Sequence, residues 1–79
     1  MTDDWTADVT NDPRYGYDLC IEISQQSQHR MTIRRAPSGQ LFIEMYPVSN
    51  MTEVPAEWLM GILSRAEREL PPSEAGSKQ

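Results

Sequence analysis

The stretch Tyr17-Asp18-Leu19-Cys20-Ile21-Glu22-Ile23-Ser24 decides the fold. Tyr17, Leu19, Ile21 and Ile23 occupy every second position, and Asp18, Cys20, Glu22 and Ser24 fill the gaps. Strand side chains point alternately to opposite faces, so a period of two predicts a half-buried β-strand over 17–24. After a polar break at Gln25–Gln28 the alternation resumes over 29–36, with Met31 and Ile33 inward and Arg30, Thr32 and Arg34 outward. Pro37-Ser38-Gly39 then reads as a turn. Proline presets φ at the first turn position, and glycine accepts the left-handed conformation that closes a three-residue loop. A third strand is expected over 40–46, with Leu41, Ile43 and Met45 inward, and Pro47 stops it because proline has no amide hydrogen for a ladder.

Registers follow from the loop lengths. A three-residue loop at 37–39 sets Ile33 opposite Ile43, Met31 opposite Met45 and Thr32 opposite Glu44. A matching loop at 25–27 would set Glu22 opposite Arg30 and Asp18 opposite Arg34. A slip by one residue would turn every inward aliphatic side chain to water. The basic strand then lies between two strands carrying acids, which predicts a meander with that strand at the centre.

Further along, Trp58, Leu59, Ile62, Leu63, Ala66 and Leu70 recur at helical spacing, and Pro55 suits a first helical position with Glu53 and Glu57 near the positive end of the dipole. A helix is expected over 55–70, ended by Pro71-Pro72. The fold class is therefore α+β: a three-stranded antiparallel meander, order 1-2-3, packed on one C-terminal helix in a single domain at 15–70. Residues 1–14 are polar and acidic and read as a flexible arm, in which Trp5 alone could dock; residues 71–79 read as a disordered tail.

The chain has 79 residues, twelve acidic against seven basic, for a net charge of −5. One small core is the ceiling at this size. An acidic surface repels phosphate backbones, so direct nucleic-acid binding is disfavoured and a basic protein partner is favoured. Cys20 is the only cysteine and His29 the only histidine, which leaves neither a disulfide nor the usual zinc ligands. The N-terminus lacks the basic start and apolar stretch of a signal peptide, and no apolar run nears the roughly 18 residues of a membrane span. A cytoplasmic protein is expected, with no cofactor and no metal.

His29 is placed at inward parity beside Ile23 and Cys20 on the outer face, so the two do not converge. Glu22 and Glu44 fall on opposite edges with arginines between them, which suits ion pairs better than acid–base work. Arg30, Arg34 and Arg35 make the one basic cluster, with Phe42 and Tyr46 beside it for stacking. Neutralisation of that cluster by Asp18, Glu22 and Glu44 is favoured over a grip on phosphate. No enzyme is expected. The candidate partner-binding residues are Asp18, Glu22, Arg30, Arg34, Phe42, Glu44 and Tyr46, on the sheet face that one helix leaves uncovered. Both outer strands are also free edges, which predicts a homodimer.

In size, acidity and its single α+β unit, the chain resembles the small phage-encoded anti-CRISPR proteins. No motif carries the resemblance, and no residue transfers from it. It implies an inhibitor in the host cytoplasm that coats a basic surface of a CRISPR effector, such as the DNA channel of a type I Cascade complex. The alternatives are a small dimeric regulatory, adaptor or phage accessory protein that binds another protein and, third, a small nucleic-acid binder.

Overall fold

The computed structural model describes residues 4–47 and 52–71. Four strands form one antiparallel sheet in the order β1-β2-β3-β4: β1 Trp5–Asp12, β2 Asp18–Gln25, β3 Gln28–Arg35 and β4 Leu41–Met45. One helix, α1, spans Ala56–Glu69 and packs on one face. The chain is α+β with an antiparallel sheet against a single helix, but the sheet has four strands, not three. The added strand is the segment read as a flexible arm. It pairs with β2 along its whole length, from Trp5↔Gln25 to Asp12↔Asp18. Its inward series, Trp5, Ala7 and Val9, has one large residue, which explains why its periodicity is faint in the sequence. That one residue anchors it. Trp5 is buried in the core, its ring lies 6.0 Å from that of Trp58, and its Nε1 donates to the Glu53 carbonyl at 3.2 Å. Residues 1–3 and 72–79, the rest of the expected arm and tail, lie outside the described residues.

The β3–β4 hairpin matches the expected register, with Met31↔Met45, Thr32↔Glu44 and Ile33↔Ile43. Its loop is closed by Ala36 N to Gln40 O and Gly39 N to Ala36 O, both 2.8 Å, and Gly39 takes a φ of 92° that a side chain would resist.

The β2–β3 hairpin differs. Its loop has two residues, Gln26 and Ser27, both left-handed at φ 52° and 67°, because a turn of that hand follows the natural twist of the strands. A bulge between Ile23 and Ser24 then leaves Arg30 without an opposite residue. The register becomes Glu22↔Thr32 and Cys20↔Arg34, so the expected Glu22–Arg30 and Asp18–Arg34 pairs do not form. The shift is even past the bulge, so Ile21, Ile23, Met31 and Ile33 still share the helix face.

On that face the core gathers Trp5, Ile21, Ile23, Met31, Ile33, Ala66 and Leu70, with Trp58, Leu59, Ile62 and Leu63 packed around them. Tyr17, expected inward, sits in the β1–β2 connection at φ 64° and is exposed. Ile43 and Met45 keep inward parity but remain 41% and 75% exposed, because the helix does not reach the β4 side. Pro55 lies just before the helix, and its carbonyl accepts from Leu59 N. The helix ends at Leu70, which the following Pro71 holds extended at φ −93°. Arg35 fastens this end. Its guanidinium donates to the carbonyls of Leu70 at 2.7 Å, Glu67 at 3.2 Å and, across the β3–β4 turn, Gly39 at 2.6 Å. No helix is long and apolar enough to cross a membrane among the described residues.

Candidate partner-binding face

The face turned away from α1 carries Thr6, Asp8, Thr10 and Asp12 from β1, Asp18, Cys20, Glu22 and Ser24 from β2, Thr32 and Arg34 from β3, and Phe42 and Glu44 from β4. Its two halves differ in chemistry.

The β3–β4 half is occupied by a network that begins in the β1–β2 connection. There Pro13–Tyr15 forms a single 3-10 turn, with the Asp12 carboxylate accepting from Arg14 N and Gly16 left-handed behind it. The turn sends Arg14 and Tyr15 across the sheet to β4. Arg14 bridges Asp12 and Glu44, at 2.8 Å to each. Tyr15 Oη donates to Glu44 Oε2 at 3.1 Å, and its ring stacks on the Arg34 guanidinium at 4.1 Å. Arg34 Nε completes the set with a 3.0 Å ion pair to Glu44, and the Phe42 ring lies 5.6 Å from the same guanidinium. Hydrogen bonding by Arg14 holds the Asp12 carboxyl below its ordinary value. For Glu44, burial opposes ionisation, but the bonds from Arg34, Arg14 and Tyr15 outweigh it and lower its pKa as well. The crossing of Arg14 and Tyr15 also accounts for Cys20 and Thr32, each 1% exposed although no described helix lies on their side.

The β1–β2 half is acidic. Asp8 is directly opposite Glu22, and Asp12 is opposite Asp18. Arg14 neutralises Asp12, while neither Asp8 nor Glu22 has an ion-pair partner among the described residues. Like charges directly opposite each other across strands are destabilising by a fraction of a kcal/mol, roughly the 0.2–1 kcal/mol that opposite charges would contribute.

The expected site residues divide accordingly. Arg34, Phe42 and Glu44 come together. Glu22 and Asp18 lie on the acidic half, where the register sets Thr32 opposite Glu22 and Cys20, not Asp18, opposite Arg34. Arg30 leaves the group: the bulge turns it to the other side, where it lines a groove of about 210 Å³ with Trp5, Met31, Ile43, Met45, Val54 and Leu59, its Nε buried and unpartnered. Arg35 is also on the helix side, so the three arginines do not form a cluster. Tyr46 lies at the rim, its ring 4.7 Å from that of His29. His29 is not beside Ile23; the bulge brings it opposite Ser24, with Nε2 2.8 Å from Thr32 Oγ1 and 3.0 Å from the Met31 carbonyl.

Arg14, Asp12 and Asp8 were missed because they lie in the segment read as an arm, and Tyr15 because it stands at the domain boundary, ahead of the first expected strand. The signal that marks their turn is Asp12-Pro13 followed by Gly16, a capping residue, a fixed φ and a left-handed stop.

Burial, with the nearby charges of Asp12 and Glu22, pushes the Cys20 thiol up to about 11, which leaves little thiolate at neutral pH. No group of three or more His, Cys, Asp or Glu side chains is placed to hold a metal ion among the described residues. No family model, curated protein or solved structure gives a significant match to this chain.

Proposed function

We propose that the protein acts without catalysis, by binding another protein through the acidic half of its open face. The observation that carries this reading is the direct opposition of Asp8 and Glu22 without a cation between them. Their repulsion is a standing cost in the free protein, and a lysine or arginine of a partner would relieve it. The sheet fixes the two backbone positions directly opposite each other, so the pair presents its negative charge at a defined place on the face. Steering by the overall charge of −5 adds to the encounter rate with a basic surface.

The narrower form of the proposal is an anti-CRISPR-type inhibitor that covers the Lys/Arg surface on which a type I effector holds its target DNA. Acids at a strand spacing occupying sites built for phosphates is the physical basis for it. The general form, an adaptor or regulatory protein with some other basic partner, uses the same face. Direct nucleic-acid binding is disfavoured on a specific ground: Arg30, Arg34 and Arg35 are dispersed, and Arg34 is already engaged by Glu44 and Tyr15.

The test is capture of a purified type I effector on immobilised protein, with and without target duplex. Retention that the duplex competes away supports the inhibitor. Failure to retain the effector, with one other basic protein recovered from the same cells, rejects the inhibitor and leaves the adaptor reading. A mobility shift with random single-stranded and duplex DNA at low salt would instead revive the third alternative.

A further inference from the structure

The sheet has two edges, and they are built differently. β1, Trp5-Thr-Ala-Asp-Val-Thr-Asn-Asp12, alternates its few apolar residues with threonines and acids. Charge and polarity of this kind protect an edge from pairing with another chain. β4, Leu41-Phe-Ile-Glu-Met45, has one charged residue, and Glu44 is spent on Arg14 and Arg34 within its own chain. Around it Phe42 and Ile43 are 42% and 41% exposed, and Met45 is 75% exposed. Among the described residues no strand pairs with the outer side of β4.

The hydrogen bonds on the inner side fix what the outer side offers. Tyr46 N donates to Arg30 O and Gln40 O accepts from Ala36 N, so the even-numbered residues of this segment turn their backbone groups to β3. Antiparallel ladders alternate residue by residue, which leaves the amides and carbonyls of Leu41, Ile43 and Met45 aimed at the free edge.

We infer that β4 pairs with β4 of a second copy, antiparallel about a two-fold axis at Ile43, to make one continuous eight-stranded sheet. The choice of a second copy rests on self-complementarity. Centred there, Ile43 faces Ile43 of the second copy, Leu41 faces its Met45, and Met45 faces its Leu41. These are the residues with free backbone groups, so the pairing satisfies every one of them, with two bonds per pair. Glu44 faces Phe42 of the second copy, and no like charges oppose each other. A two-fold one position further along would set Glu44 against itself and bring Pro47, which has no N–H, into the ladder. Charge also favours this edge. Two chains of net charge −5 meet where Glu44 is balanced by Arg14 and Arg34 rather than at the acidic β1 side. On the helix face the joined strands would extend the apolar strip over Ile43 and Met45, which α1 leaves open. This surface is separate from the acidic half of the open face and does not depend on what that half binds.

The experiment is sedimentation velocity on the full chain across a concentration series, with Ile43→Lys as the disrupting variant and far-UV circular dichroism to check its fold. The wild type is expected to sediment as a dimer at tens of micromolar, and Ile43→Lys to raise the dimer dissociation constant at least about tenfold. A wild type that stays monomeric to ~100 µM overturns the inference, and so does a dimer that Ile43→Lys leaves intact. If Ile43→Lys does not fold, cysteine crosslinking decides. Hydrogen-bonded antiparallel pairs place Cα atoms roughly 5.5 Å apart, within disulfide range. Ile43→Cys should therefore crosslink under mild oxidant while Val9→Cys on β1 does not. The reverse pattern would place the contact at the other edge. Asp8→Lys with Glu22→Lys should leave the dimer unchanged, so its failure and that of the proposed function are read separately.

Discussion

Replacing Trp5 by alanine tests whether β1 belongs to the fold. Trp5 is 8% exposed, so nearly all of its side chain leaves water on folding. An aromatic side chain of this size buries about 200 Å², worth about 5 kcal/mol at ~25 cal/mol per Å². Residual burial in the unfolded chain, and the methyl group that alanine retains, reduce this to about 3 kcal/mol. The bond from Nε1 to the Glu53 carbonyl adds about 1 kcal/mol, for a total near 4. A domain of this length has a net stability of about 4–12 kcal/mol, so the substitution removes a third of it or all of it. In urea, with a slope near 1 kcal/mol/M, the midpoint should fall by several molar, followed by circular dichroism and by the fluorescence of Trp58. Trp5→Phe keeps a ring and loses the N–H, and should cost about 1 kcal/mol beyond the lost area. A midpoint for Trp5→Ala within about 0.5 M of the wild type would show that β1 contributes nothing, and the segment would be an arm after all.

Other outcomes follow from the same contacts. Arg35→Met removes a charged donor from three carbonyls and should cost about 3 kcal/mol in urea unfolding, whereas Arg35→Lys, which cannot fork, should recover only part. Asp12 and Glu44 have folded pKa values below their ordinary 3.8 and 4.5, so their ion pairs stabilise the protein fully above those values. That stability should be lost as pH falls through the lowered pKa values, and the acid slope of the thermal midpoint should flatten in Asp12→Asn; an unchanged slope would remove the network from the stability account. Gln26→Asn with Ser27→Gly suits the left-handed turn and should raise the thermal midpoint by about 4–8 °C per kcal/mol gained, with a gain of about 1 kcal/mol. A lower midpoint would contradict the two-residue turn.

Period-two alternation located β2, β3 and β4 and assigned their faces, because Ile21, Ile23, Met31 and Ile33 are large and half-buried strands must hide them. The β3–β4 register was legible because Pro37 and Gly39 dictate the loop. The β2–β3 register was not. Gln26-Ser27 lacks the Asn-Gly signature of a left-handed turn, and a bulge has no sequence mark of its own. That single unpaired residue moved Arg30 off the open face and His29 onto it. β1 was obscured by its edge position, where one strong anchor, Trp5, is enough and the remaining residues stay polar. The candidate site suffered most from this. Arg34, Phe42 and Glu44 were found from the strands they sit on, but Arg14 and Tyr15 act across a distance of some 30 residues in sequence and reveal themselves only in the folded chain.

Binding through the acidic half of the open face is tested most directly by calorimetric titration of a purified type I effector with the wild type and with Asp8→Lys/Glu22→Lys. The wild type should bind saturably, and the double reversal should weaken binding at least about tenfold. The same charge change on the helix side, Glu53→Lys/Glu57→Lys, should leave it within about twofold. Absence of binding by the wild type would reject the effector as the partner, and equal loss from both charge reversals would show that overall charge, and not the opposed pair Asp8 and Glu22, makes the contact.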